Sequence, residues 1–104
     1  MKRVLFFTAN YCGMCRALKN TLVEPLRSRG IEVEEIDCMR EPCRAESYGI
    51  KKLPTTIILG EDGEVYARYE GIATVEVVEM HVRDLDHQPF VSEFAQLNSI
   101  TKLA

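Results

Sequence analysis

Residues 6–19, "FFTANYCGMCRALK", set Cys12 and Cys15 three positions apart where a strand-like run gives way to a helix-like one. Upstream, "RVLFFT" (3–8) is short, apolar and rich in strand formers, as expected of a strand buried on both faces. Downstream, Cys15, Leu18, Leu22 and Leu26 fall on one helical stripe. Pro25 interrupts and bends that helix, and Gly30 ends it. Cysteines at i and i+3 of a helical turn stand about 5–6 Å apart at Cβ. A small local adjustment then closes or reopens a disulfide. Cys12 falls where the first helical N–H groups lack partners and the helix dipole is positive, which favours the thiolate that attacks disulfides. Cys15, one turn further in, is expected to be more buried. Gly13 leaves space over Cys12 for a bulky substrate. The spacing alone is shared with zinc knuckles, so context must decide between redox and metal chemistry.

The surrounding pattern supplies that context. "IEVEEID" (31–37) reads as a second strand whose alternation breaks at Glu34–Glu35, which suits a sheet edge. A short helix is expected from Pro42, closed by Gly49. "TTIILG" and "EVYARYEG" flank Gly60–Gly63 as a hairpin. Thr74 caps a last helix with Val75, Val78, Val82 and Leu85 on its buried side. The order β-α-β-α-β-β-α defines an α/β fold around a four-stranded mixed sheet. Its first two strands are parallel, through a right-handed helical crossover.

The chain has 104 residues, enough for one domain with a modest core. Its net charge of -3 offers no basic footprint for nucleic acid. No apolar run approaches the roughly 18 residues of a membrane span, and "VLFF" is too short for a signal-peptide core. A cytoplasmic location is the expectation. Four cysteines in a reducing compartment point to chemistry or metal binding more than to a structural disulfide framework.

With these features in place, the chain resembles the thioredoxin-fold family, and thioredoxins more than glutaredoxins. "YCGMC" is similar to the thioredoxin motif W-C-G-P-C. "YGIKKLPTTIILGEDGEVYARYEG" is similar to the segment carrying that family's cis-proline, hairpin and active-site glycine. The likeness begins near Val4, without the extra amino-terminal strand and helix of full thioredoxins, so a glutaredoxin-sized core is expected. It implies a thiol–disulfide oxidoreductase of protein disulfides that needs no cofactor or metal. Its electrons would come from a flavoprotein reductase or another dithiol. It also implies Cys12 as nucleophile, Cys15 as resolving thiol and Pro54 as the cis-proline. Tyr11, Gly13, Met14, Leu53 and Gly71 join Pro54 as the substrate-binding surface. Phe6 departs from the pattern. It stands where thioredoxins carry a buried aspartate that moves protons for the resolving cysteine, and no other carboxylate is evident there.

Glutathione-dependent, glutaredoxin-like activity is the alternative, although "KLPT" and "YEGIAT" depart from the glutaredoxin motifs. Cys38 and Cys43 are expected on the same side of the molecule as the first pair. They read as inert thiols, as a second redox pair, or with Cys12 and Cys15 as a four-cysteine zinc-binding module. A non-enzymatic interaction domain is a further reading. His81 and His87 read as surface residues, Tyr48, Tyr66 and Tyr69 as packing residues, and the glutamates of 32–35 as a solvated edge. Residues 1–86 are expected to form the domain. Residues 87–104 are expected to be a carboxyl-terminal extension with a short helix, capped by Ser92 and striped by Phe90, Phe94, Leu97 and Ile100.

Overall fold

The computed structural model describes residues 2–83. Its central strand is β1 (Arg3–Thr8), the apolar run that opens the chain, with Val4 to Phe7 all buried. Period-two alternation sends Val4 and Phe6 to one face and Leu5 and Phe7 to the other. Burying a phenylalanine on each face contributes about 2–3 kcal/mol apiece to holding both layers against the sheet.

The following helix is not continuous. It runs as α1 (Gly13–Leu18), a π-helical turn (Lys19–Val23) and α2 (Glu24–Ser28). Pro25 has no N–H to offer the carbonyl of Thr21, and its ring crowds that carbonyl in a regular helix. The turn before it widens in response, so the Glu24 N–H reaches back five residues to the Lys19 carbonyl. The apolar stripe survives the interruption, with Cys15, Leu18, Leu22 and Leu26 all buried. Gly30, at φ 81°, closes the helix in the left-handed region that favours glycine.

Strand β2 (Val33–Asp37) pairs parallel to β1 at the edge of the sheet, and α3 (Pro42–Ser47) follows. Strands β3 (Thr55–Leu59) and β4 (Val65–Glu70) form the antiparallel hairpin, giving the order β2-β1-β3-β4. Helix α4 (Val75–Arg83) is capped by Thr74, whose hydroxyl accepts the Val77 N–H at 3.3 Å. Val78 and Val82 pack with Phe6, Leu22 and Leu26 on one face of the sheet. Ile36 and Ile57 join Leu5 and Phe7 on the other, where Tyr48 lies 5.5 Å from Phe7 between ring centroids. Leu85 and the extension at 87–104 lie outside the described residues.

Two expectations are corrected. The β2 glutamates do more than face solvent. Glu34 is gripped by Arg44 of α3 at 2.7 Å, and Glu35 by Arg27 of α2 at 3.1 Å, so the edge strand is clamped to a helix on each face. His81 is not a free surface residue either. Its Nδ1 is hydrogen-bonded to the Tyr69 hydroxyl, and its ring stacks on Tyr69. Tyr69 packs against the core as expected, whereas Tyr66 is 42% exposed with Lys2 over its ring.

Candidate active site at one end of the sheet

The strand registers gather the candidate residues. Thr8 pairs with Asp37, Phe7 with Thr55, and Thr55 with Glu70. The loop to Cys12, residue Cys38, Pro54 and Gly71 therefore all leave the sheet at the same end. Gly71, at φ 91°, donates its N–H to the Pro54 carbonyl at 2.8 Å. The Leu53–Pro54 peptide is cis.

Cys12 and Cys15 are joined as a disulfide with Cα atoms 5.2 Å apart. Cys12 is the N-cap of α1, in extended conformation, and its Sγ accepts the Cys15 N–H at 3.1 Å. That N–H is one of the donors a helix start leaves unpaired, and it favours negative charge on the sulfur once the bond opens. The two sulfurs differ in access. Cys12 is half-buried, whereas Cys15 is 2% exposed beneath it. Tyr11, Gly13 and Met14 surround Cys12 and are exposed, Tyr11 at 70%. A Cβ on Gly13 would meet nothing nearer than Arg16 Nη2 at 3.8 Å, so the chain's own packing does not require glycine there.

On the α3 side, a groove of about 140 Å³ is lined by Tyr11, Leu53, Lys51, Ile50, Ala45 and Cys38. Cys38 donates its backbone N–H to the Thr8 carbonyl at 2.9 Å. Burial pushes its thiol pKa up, and the charge of Asp37 adds to the effect. Cys43 is exposed in the first turn of α3, and neither thiol is in a disulfide. Among the described residues, no group of three or more His, Cys, Asp or Glu side chains converges as a metal site. No helix among them is long and apolar enough to cross a membrane.

On the α1 side lies a cleft of about 300 Å³ backed by Cys15. Phe6, Lys19 and two carboxylates, Glu35 and Asp37, help to line it. No carboxylate is expected beside Cys15 from the sequence, yet these two share its cleft. Alternation along β2 puts Glu35 and Asp37 on the same face as Val33, towards the first helix. Only the register, with Glu35 opposite Phe6 and Asp37 opposite Thr8, reveals how near the dithiol that face comes. Ile72 was also missed. It is 71% exposed beside Gly71.

This architecture, with a dithiol at the head of its first helix, is that of the thioredoxin-like proteins. The oxidised mitochondrial thioredoxin 3 of Saccharomyces cerevisiae superposes with a TM-score of 0.67 at 25% identity, over 81% of this chain and 78% of that one. The thioredoxin sequence profile matches residues 1–84, and the chain belongs to the thioredoxin family. It is 35% identical over 81 residues to the chloroplastic thioredoxin Y1 of Arabidopsis thaliana, covering 75% of this chain and 46% of that protein. It is 34% identical over 61 residues to a thioredoxin of Methanocaldococcus jannaschii, covering 57% of this chain and 72% of that one. The chain thus spans less than half the length of its plant relative.

Proposed function

We propose that this chain reduces or exchanges protein disulfides through Cys12 and Cys15. The observation that carries the reading is the unequal access of two sulfurs in one disulfide. In the reduced protein, the Cys12 thiolate attacks a substrate disulfide. A Cys12–substrate bond forms, and one substrate sulfur leaves as a thiolate and takes a proton from water. Cys15 then loses its proton and attacks Cys12 Sγ. The second substrate sulfur leaves, and the pair is oxidised by the two electrons the substrate gains. A flavoprotein reductase or another dithiol returns them. The exposed Tyr11, Met14 and Ile72 give an apolar docking surface, and the Leu53 backbone and Gly71 offer edges to an extended substrate segment. A cytoplasmic setting, which keeps such dithiols reduced, is part of this proposal.

The test is a pair of substitutions assayed with a protein disulfide, using thioredoxin reductase in one series and glutathione in the other. Cys15→Ser is expected to trap a mixed disulfide through Cys12, and Cys12→Ser to abolish turnover. Turnover that persists in Cys12→Ser would move the chemistry to Cys38 and Cys43. Turnover with glutathione alone would make the chain glutaredoxin-like.

A further inference from the structure

We infer that Glu35 is the proton carrier for Cys15, taking the thiol proton through the cleft when the mixed disulfide is resolved and returning it when the pair is reduced. The inference rests on the dithiol reading above and assigns it a residue.

A buried thiol cannot pass its proton directly to bulk water, and Cys15 is only 2% exposed. Its side chain nevertheless backs onto the cleft, which has room for water and is lined by Glu35. Lys19 stands four residues after Cys15, so the two share a side of the helix across one turn. Lys19 Nζ lies 3.6 Å from the Glu35 carboxylate, and Cys15, Lys19 and Glu35 line the same cleft. The charges around Glu35 hold it in place. Arg27 of α2 lies 3.1 Å away and also donates to the Val33 carbonyl and pairs with Glu24. Arg16 of α1 and Asp37 of β2 line the cleft with it, whereas β1 faces it with the uncharged Phe6 and Thr8. Asp37 is less free to serve, because one of its oxygens accepts the Met39 N–H at 2.8 Å in the turn after β2. In the step itself, the Cys15 proton crosses cleft water to the Glu35 carboxylate. The thiolate bonds to Cys12 Sγ, the Cys12–substrate bond breaks, and the departing substrate thiolate is protonated by solvent.

The experiment follows a preformed mixed disulfide between Cys12 and a peptide thiol, timing peptide release from pH 5.5 to 9.5. In Glu35→Gln, release is expected to slow at least tenfold at pH 7. It should then recover by about tenfold per pH unit as hydroxide replaces the carboxylate, meeting the parent at the alkaline end. Glu35→Asp is expected to keep part of the rate with the parental profile, and it carries the test should Glu35→Gln not fold. Lys19→Gln breaks the ion pair but keeps the carboxylate, and should stay within threefold of the parent. Parental release in Glu35→Gln, or a loss by one factor at every pH, overturns the inference. So does a pH-dependent loss that appears in Asp37→Asn instead. A parent whose release does not need Cys15 takes the dithiol reading down as well.

Discussion

Gly71 hands its backbone N–H to the carbonyl of Pro54, tying the end of β4 to the loop that enters β3. Gly71 makes this bond at φ 91°, where a side chain is strained even though a Cβ there would meet no atom within 4 Å. Gly71→Ala is therefore expected to cost about 1–2 kcal/mol, through backbone strain alone. Urea unfolding measures it. A variant as stable as the parent would mean that the loop relaxes without needing that conformation.

Phe6→Asp should destabilise the domain by at least about 3 kcal/mol, because it removes a buried ring and buries a carboxylate. Thr56, opposite Phe6 in the register, has a buried hydroxyl with no partner among the described residues. It could donate to the new carboxylate and keep the variant folded. Release from the mixed disulfide should then be faster near neutral pH. An unchanged rate in a folded variant would mean that the existing route is not limiting.

The Glu34–Arg44 pair should leave a signature in acid. The hydrogen bond from Arg44 holds the Glu34 carboxyl below the usual carboxylate range, against a smaller opposing effect of burial. A carboxylate whose pKa is depressed by folding stabilises the native state above its unfolded value. That contribution is lost as pH falls through the folded value. The pair is largely exposed, so Glu34→Gln should cost no more than about 1 kcal/mol at pH 7. The gap from the parent should close below about pH 4. A gap that stays constant from pH 7 to 3 would assign the loss to packing.

The thiols should separate by reactivity. With the Cys12–Cys15 bond intact, limited alkylation at neutral pH should label exposed Cys43 before Cys38, whose thiolate is disfavoured by burial and by Asp37. After reduction, Cys12 should label before Cys15. Helix α3 begins only at Pro42, so Cys38 lies in the preceding turn and not on the helix. We expect mild oxidation to link Cys38 with Cys43, detectable as a cross-linked peptide by mass spectrometry. Persistently free thiols at both positions would leave them inert.

What could be read in advance follows the range of the interaction concerned. The strand at 3–8, the stripe from Cys15 to Leu26, the helix start at Pro42 and the hairpin at Gly60–Gly63 are each written in neighbouring residues. All appear where local pattern puts them. The π turn at 19–23 was not legible, although Pro25 was. A proline announces that a helix must yield without saying which carbonyl does the yielding. The ion pairs of Glu34 and Glu35, the contact of His81 with Tyr69 and the carboxylates beside Cys15 depend on segments far apart in the chain. Spacing within any one segment does not encode them. Cys12 and Cys15 were legible as a pair because their partnership is local, and Tyr11, Pro54 and Gly71 through the family resemblance, whereas Glu35 and Asp37 beside Cys15 were not.

The unequal depth of the two sulfurs has a consequence for how such a protein is driven. With Cys15 buried beneath it, Cys12 is the sulfur of the pair that an incoming thiolate or disulfide meets first. On the dithiol reading proposed above, oxidant and reductant would visit the same doorway in turn, and neither could be engaged while the other is present. Turnover should follow ping-pong kinetics, and an excess of either visitor that docks without reacting should throttle the other. The order of traffic at Cys12 would be set by abundance and affinity at one shared surface.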